Sequence, residues 1–224
     1  MKADTGSRDQ STGSTSPRRL PVQQRSLERY ERLLDACAGL LDEAGPGALT
    51  TKEVAQRAQV PIGTLYQFFS GKDSLLAALA ARNLDRYLDR LARRIGAEHP
   101  EGVTGFVDLA VEEFIAMKRA VPGFGHLDFG LVDQLPPGLP ESLAEPRVDV
   151  EHLLDERLDN NAAVAERLQA LGGPLPTTEG FPLALRVALE AADAVLKLAF
   201  RTDPEGDPAL IAECKRLLRR YLAD

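Results

Sequence analysis

Apolar and polar positions follow the period of an α-helix over most of this chain. Between residues 27 and 41 apolar side chains recur every three or four positions, and Gly45-Pro46-Gly47 ends the pattern. Leucines return at the same spacing between Leu75 and Ile95. The pattern predicts a first helix with Ser26 as its N-cap and a second, longer helix that starts after a capping-box-like pair, Ser70 and Asp73.

Between these two helices, the sequence predicts two short helices joined by a tight turn. Thr50 and Glu53 form a capping box, so the first short helix begins near Thr51. Gln59-Val60-Pro61 breaks that helix, because proline lacks an amide hydrogen. The second short helix runs from Ile62 to Phe69. Its expected core anchors are Leu65, Phe68 and Phe69.

The outward side of the second short helix carries side chains suited to DNA, and a helix of this size fits a major groove. The hydroxyls of Thr64 and Tyr66 suit phosphate oxygens, and Gln67 can pair bidentately with adenine. The predicted DNA-binding residues are Thr51, Lys52, Pro61, Ile62, Gly63, Thr64, Tyr66, Gln67 and Lys72. The alternative, a helical hairpin whose aromatic residues only fill a core, is disfavoured because the neighbouring features agree.

These residues resemble the DNA-binding domain of TetR-family transcriptional regulators. The resemblance covers residues 26–79 and rests on Thr51, Val54, Ala55, Val60, Gly63-Thr64-Leu65-Tyr66, Phe69, Lys72 and Leu75-Leu76. Two positions depart from the family pattern. Gln59 replaces the usual glycine, which predicts a left-handed backbone there, and Pro61 replaces a serine, which removes a side-chain cap. The resemblance also implies that Arg25 and Arg29 lie beside the phosphate backbone.

The helical pattern and the resemblance together predict an all-α protein. An N-terminal three-helix helix-turn-helix DNA-binding domain would span residues 25–73, and a C-terminal helical effector-binding and dimerisation domain residues 74–224. Residues 1–24 are rich in Ser, Thr, Gly, Gln and Arg and lack an apolar pattern, so we expect a disordered arm, with or without contacts to DNA.

Charge and composition agree with this division. The net charge is −7, yet residues 1–73 sum to +1 and the remainder to −8, so the excess of acidic over basic residues lies away from the DNA-binding domain. The two cysteines, Cys37 and Cys214, stand in separate amphipathic helices and are expected to be buried thiols in a reducing cytoplasm. No apolar run is long enough to span a membrane, so we expect no membrane partner.

The last two helices, predicted over residues 181–201 and from Asp207-Pro208 to about 222, are interpreted as a dimer interface. Each carries an apolar stripe, and small residues in it let a partner helix approach closely. The predicted interface residues are Leu185, Ala188, Ala192, Val195, Ala199, Ile211, Cys214, Leu218 and Tyr221. The resemblance implies a homodimer joined by a four-helix bundle. A monomer with these faces folded inward remains the alternative.

The resemblance further implies a small-molecule cavity among the middle helices, which are predicted at about 103–119 and 148–171 with a short aromatic helix at 124–134. The residues proposed to line it are Phe106, Glu113, Phe114, Met117, Phe124, His126, Phe129 and His152. The alternative is that the aromatic residues among them only fill the core, since aromatic residues at helical spacing do so more often than they line a ligand cavity. A metal site at His126, Asp128 and His152 is disfavoured because the spacing matches no ligand motif, and no cofactor is expected.

The resulting hypothesis is a homodimeric repressor that is released from a palindromic operator in double-stranded DNA by an unknown small-molecule effector. A DNA-binding activator uses the same module and stays open. A helical small-molecule-binding protein or an enzyme without a DNA role is less favoured, since the sequence offers no nucleophile–base pair, phosphate loop or metal motif.

Overall fold

The computed structural model describes residues 22–127, 161, 164–171 and 175–223, and these residues form helices joined by turns, without a strand. The all-α prediction is confirmed. The helices are α1 (Val22–Ala48), α2 (Thr51–Arg57), α3 (Ile62–Phe68), α4 (Lys72–Glu98), α5 (Gly102–Ala120), α6 (164–170), α7 (Phe181–Thr202) and α8 (Pro208–Ala223). The arm was expected over residues 1–24, but residues 22–24 belong to α1. The rest of that arm, and the parts of the predicted middle helices at 128–134, 148–160 and 162–163, lie outside the described residues.

Helix α1 begins earlier than the sequence indicates. It starts at Val22, so Ser26 is not its N-cap, and Leu27 is 59% exposed because the first turns extend beyond the core. The predicted stop is confirmed: Gly45, with φ 71° and ψ 174°, interrupts the helix just before Pro46.

The helix-turn-helix segment follows the predicted local chemistry. Thr50 caps α2 by accepting a hydrogen bond from the amide of Glu53 at 3.2 Å. Gln59 adopts the predicted left-handed conformation, with φ 54°. Pro61 is the N-cap of α3 and provides no side-chain cap. The predicted cap of α4 is displaced by one residue: Gly71 takes that place, and its amide donates to Ser74 Oγ at 3.1 Å.

Two apolar clusters form the interior, and α4 contributes to both. The N-terminal core packs α1, α2 and α3 against the first half of α4, which supplies Leu75, Leu76 and Leu79. The C-terminal core packs α5 to α8 against the second half of α4, from Leu84 to Leu91. One 27-residue helix therefore passes through both clusters.

Ion pairs show how the C-terminal helices run relative to one another. Helix α8 runs antiparallel to α5, because Arg219 pairs with Asp108 near the start of α5 and Lys215 with Glu112 one turn further on. Asp207 caps α8 by accepting amide hydrogen bonds from Ala209 and Leu210 at 2.8 and 2.9 Å, as predicted. Because α7 and α8 form a helical hairpin, α7 runs parallel to α5.

Candidate nucleic-acid interface and internal cavity

Helix α3 is held by its apolar side and exposes the other. Leu65 and Phe69 are buried in the N-terminal core, and Tyr30 of α1 stacks on Phe69 with ring centroids 5.3 Å apart. On the opposite side, Ile62 is 42% and Tyr66 54% exposed. Gly63 and Gln67 are also exposed and Thr64 is half-buried, so the helix presents the predicted residues to solvent.

Helices α2 and α3 share one polar surface. The hydroxyl oxygens of Thr51 and Tyr66 lie 3.2 Å apart, within hydrogen-bond distance. Lys52, the neighbour of Thr51, is exposed. The first turn of α2 and the middle of α3 therefore present hydroxyls and a cation together, which is the chemistry that binds phosphate oxygens.

The basic residues beside this surface also contribute to the fold. Lys72 Nζ donates to the carbonyl oxygen of Pro46 at 2.6 Å and so joins the start of α4 to the end of α1. Arg57 makes two 2.5 Å hydrogen bonds to Glu43, which lower the pKa of that carboxyl. Sequence reasoning missed this α1–α2 pair because its members are fourteen residues apart.

The turn after α5, residues 121–127, is attached to both long helices of the N-terminal core. The amide of Gly123 donates to Asp42 of α1, and Asn83 Nδ2 of α4 donates to the carbonyl of Leu127, both at 2.8 Å. Gly123 has φ 77°, and a Cβ there would lie 2.9 Å from Ala38 Cα. Sequence reasoning missed Asn83, whose signal is a polar residue midway between Leu79 and Tyr87 on the apolar side of α4.

A cavity of about 730 Å³ lies in the C-terminal half of the protein and also contacts the 121–127 turn. Of the residues predicted to line it, Phe106, Phe114 and His126 do so. Met117 and Phe124 do not, because both are fully buried in the apolar core. The predicted Phe129 and His152 lie outside the described residues, as does Asp128 of the disfavoured metal site.

Glu113, which was also predicted to line the cavity, lies away from it. Its side chain is 5% exposed and pairs with Arg90 and, at 3.6 Å, with Arg94, instead of lining the cavity. Both arginines belong to α4, so the carboxylate helps to join α5 to α4. Burial is compensated here by two opposite charges, as a buried carboxylate requires.

Several charged residues that the sequence analysis did not select do line the cavity. They are Lys118 near the end of α5 and Glu190, Asp193, Lys197 and Arg201 on α7. Their positions became evident only from the packing of α5 beside α7, since no motif connects residues so far apart in the sequence.

The residues predicted to form a dimer interface differ widely in their burial within the single chain. Five of its residues are at most 5% exposed in the single chain, because α5, α7 and α8 pack on one another there: Leu185, Ala188, Ala199, Cys214 and Leu218. Ala192, Val195 and Ile211 are half-buried against the same core, and Tyr221 is 46% exposed. The exposed large apolar residues of these helices are Leu183, Val187, Leu198, Leu217 and Tyr221.

The cysteines are buried as predicted. Burial raises the pKa of Cys37 to about 12 and that of Cys214 to about 11. Over the described ranges, His, Cys, Asp and Glu form no group of three that suits a metal ion. Among those same residues, no helix combines the length and hydropathy that a membrane crossing needs.

Comparisons with known proteins agree with this architecture. A family model described as bacterial regulatory proteins of the tetR family matches residues 33–79, and a tetracyclin repressor-like C-terminal domain matches residues 147–224. A solved TetR-family transcriptional regulator from Streptomyces coelicolor is 38% identical, with 87% of this chain and 98% of that one covered and a TM-score of 0.69. The chain belongs to the TetR family. It is a DNA-binding transcriptional regulator and not an enzyme.

Two curated relatives match this chain over shorter stretches, which span about a third or less of their own length. The HTH-type transcriptional repressor KstR of Rhodococcus jostii is 42% identical over 59 residues, which cover 26% of this chain and 28% of KstR. HbdR of Aromatoleum is 34% identical over 74 residues, with 33% and 32% covered. FadR of Bacillus subtilis, solved in complex with stearoyl-CoA, is 17% identical with a TM-score of 0.52, covers 87% of this chain and 98% of its own, and supports the fold alone.

Proposed function

We propose that this TetR-family member is a homodimeric repressor that binds a palindromic operator and leaves it when a small molecule occupies the cavity. The observation that carries the proposal is the course of α4. Its first half packs under α3 in the N-terminal core, and Tyr87 in its second half lines the cavity. One rigid helix therefore contacts both the DNA-binding unit and the cavity.

The proposed DNA contacts are the nine residues selected from the sequence. In helix-turn-helix proteins, the first residues of the recognition helix contact base edges. Ile62 and Gly63 occupy that place in α3, and Gln67 lies one turn further along an exposed side. The Thr51–Tyr66 hydroxyl pair supports phosphate contacts at the junction of α2 and α3.

The exposed apolar side of α7 and α8 supports a homodimer. Leu183, Val187 and Leu198 recur at helical spacing on α7, and Leu217 and Tyr221 stand one turn apart on α8. Exposed apolar residues clustered on one side mark an interaction surface. A second copy applied with two-fold symmetry covers this side and brings two α3 helices to successive half-sites of a palindrome.

The turn 121–127 supports release by a ligand. Gly125, His126 and Leu127 belong to the cavity wall, while Gly123 and Leu127 hydrogen-bond to α1 and α4. A ligand that displaces the turn must disturb a contact of the DNA-binding unit. Such an effector prefers the state that does not bind DNA, and operator DNA must weaken effector binding by the same factor.

The same proposal covers the domain limits and the location. The DNA-binding domain would span residues 25–73 and the ligand-binding and dimerisation domain residues 74–224, with the residues before α1 as an arm, in a protein that acts in the cytoplasm. KstR, a relative in the DNA-binding region, is named a repressor, which favours repression over activation.

Selection from a randomised DNA pool with the purified full-length protein tests the proposal. The expected result is an enriched palindrome with half-sites about one helical turn apart. Compounds are then screened for release of that operator. A single unpaired half-site would contradict the dimeric reading, and an operator that no compound releases would contradict the switch.

A further inference from the structure

Helix α3 carries no charged side chain. Its residues, Ile62–Phe68, are all apolar or uncharged. In protein–DNA complexes the commonest specific base contact joins an arginine or a lysine to guanine. The arginine of the neighbouring α2, Arg57, makes two hydrogen bonds to Glu43 of α1. Helix α3 itself therefore lacks the kind of group that usually selects guanine.

The exposed side of α3 consists of two rows of residues, because residues four positions apart lie above one another on a helix. Ile62 and Tyr66 form one row and are 42% and 54% exposed. Gly63 and Gln67 form the other row and are also exposed. The hydroxyl of Tyr66 is held beside α2 by that of Thr51, 3.2 Å away. The isoleucine, the glycine and the glutamine remain as the groups of α3 that base edges can meet.

Gly63 leaves open space in the middle of this exposed side. Its backbone is helical, and a Cβ added there would meet no atom of the described chain within 4 Å. Neither a turn nor a close contact within the chain requires a glycine at this position. Glycine also destabilises a helix relative to alanine, because it loses more backbone freedom on folding. The open space therefore suits a second molecule that comes close to the main chain of α3.

Isoleucine and glutamine suit the two bases of an A·T pair. An apolar side chain packs on the C5-methyl group of thymine in the major groove. A glutamine amide donates to N7 of adenine and accepts from its N6 amino group, whereas guanine has acceptors at both places. Ile62 and Gln67 are five residues apart, or about 7.5 Å along the helix, which exceeds the spacing of about 3.4 Å between base pairs. The two side chains therefore contact different base pairs.

We propose that α3 recognises A·T base pairs in the major groove. Ile62 packs on a thymine methyl group, Gln67 pairs with an adenine, and the open space at Gly63 lets the base edges come close to the main chain. This inference deepens the proposed function and rests on it, since it takes α3 as the recognition helix and names the bases that the helix selects. Each half-site is expected to contain a thymine and an adenine at the positions that α3 contacts.

Modified bases in the selected operator test the base assignment. The full-length protein is titrated with operators in which one thymine at a time is replaced by uracil, which removes only the methyl group. At one position of a half-site this change should weaken binding about fourfold. Replacement of one adenine by 7-deazaadenine removes the N7 acceptor and should weaken binding about tenfold at another position. An operator with only G·C pairs in its half-sites, or one that neither replacement weakens, would overturn the proposal.

Protein variants assign each base to its side chain. Ile62→Ala should lose no further affinity when the critical thymine becomes uracil, and Gln67→Ala should lose none when the critical adenine becomes 7-deazaadenine. Leu27→Ala, at an exposed leucine of α1, is the control and should respond to both modified bases as the unaltered protein does. If Ile62→Ala and Gln67→Ala also respond in that way, the assignment to α3 is overturned.

Gly63→Ala tests the close approach, and Gly96→Ala is its matched control. Gly96 is an exposed helical glycine of α4, and a Cβ there also meets no described atom within 4 Å. Both changes should raise Tm by about 2 °C, because alanine favours a helix, so neither is expected to impair folding. Only Gly63→Ala should weaken operator binding, by about tenfold or more. Equal operator affinity in the two variants would overturn the close approach.

The outcomes separate this inference from the proposed function. An enriched palindrome that does not depend on Ile62, Gly63 or Gln67 would overturn the base assignment and leave the dimeric repressor standing. The absence of any enriched sequence would overturn both. An enriched palindrome with the expected losses for uracil and 7-deazaadenine, each absent from its own variant, would support both.

Discussion

The hydroxyl oxygens of Tyr66 and Thr51 lie 3.2 Å apart, so α3 is joined to α2 through groups that we also propose to contact DNA. Tyr66 is 54% exposed, and its hydroxyl stands at the junction of the two helices. The pair therefore has two effects: it fixes the orientation of the tyrosine ring and it presents two hydroxyls to one stretch of phosphate backbone.

Tyr66→Phe is expected to weaken operator binding about tenfold, since it removes the hydroxyl that serves both effects and keeps the ring. The loss should be similar for operator variants, because phosphate contacts carry no sequence information. Fluorescence anisotropy with labelled operators measures the loss of affinity. Gln67→Ala is the companion variant and should change base preference instead. Unchanged affinity in Tyr66→Ala would contradict the placement of the recognition surface.

Gly123→Ala is expected to destabilise the protein by about 3 kcal/mol, or roughly 10 °C in Tm. The residue has φ 77°, and its Cβ would lie 2.9 Å from the Cα of Ala38. Thermal unfolding measures the change. Gly125→Ala in the same turn is the matched control, since a Cβ there meets nothing within 4 Å, and it should cost no more than about 0.5 kcal/mol. If both variants lost the same free energy of unfolding, the close contact between Gly123 and Ala38 would not explain the loss.

Asn83→Asp is expected to make stability depend on pH. Asn83 is fully buried, and its Nδ2 donates to the carbonyl of Leu127. The carboxylate that replaces the amide would face the Leu127 carbonyl oxygen, and neither group has a hydrogen to donate. This repulsion and the burial of the site raise the pKa of the new carboxyl group in the folded state. The protein should be most stable when the acid is protonated and lose roughly 3 kcal/mol as pH rises to 7.

Urea unfolding at several pH values measures this dependence. Asn83→Leu is the uncharged control of similar size. It breaks the same hydrogen bond but also removes Oδ1, which has no partner in the described structure, so its cost should be about 1 kcal/mol and independent of pH. If the free energy of unfolding of Asn83→Asp did not change with pH, the site would be open to water.

Leu198→Glu is expected to weaken the proposed dimer by about 100-fold or more, because it places a charge within the exposed apolar side of α7. Sedimentation equilibrium measures association, and circular dichroism shows whether the helices persist. Leu27→Glu, at an exposed leucine on α1, is the control and should leave association unchanged. A dimer that tolerates both Leu198→Glu and Tyr221→Glu must use another surface.

The buried thiols are expected to resist labelling in the folded protein. With the pKa of Cys37 near 12 and that of Cys214 near 11, both stay protonated at about pH 8, where thiolate reagents act. Ellman's reagent should react only as fast as the protein unfolds. Unfolded thiols ionise near pH 8.5, so the thiols' contribution to stability is complete below that pH and declines as pH rises toward the folded values. Rapid labelling without denaturant would contradict their burial.

Local chemistry was predictable from the sequence. The capping of α2 by Thr50, the left-handed Gln59 and the exposed residues of α3 depend on neighbours within a few positions, and each is found as expected. The start of α1 was placed five residues late, because Ser26 is a good capping residue in a segment that is in fact already helical.

Tertiary contacts were less predictable, and α7 shows why. Helical periodicity identified an apolar stripe at Leu185, Ala188 and Ala199, but it did not indicate that the chain's own α5 and α8 cover that stripe. Glu113 was assigned to the cavity as a polar group that could orient a ligand. Its partners, Arg90 and Arg94, come from another helix, so no local pattern revealed the ion pair.

Helix α7 separates two surfaces by one helix diameter, about 10 Å. Leu185 and Leu189 on one side belong to the cavity wall, and Leu183 and Leu198 on the other side are free to meet a second subunit. Any rotation of α7 that enlarges the cavity also turns the opposite side, so the proposed ligand binding and the proposed subunit association would both act on this one helix. The apparent affinity for the ligand should therefore change with the concentration of the protein itself, and a dilute sample and a concentrated one would give different titration curves.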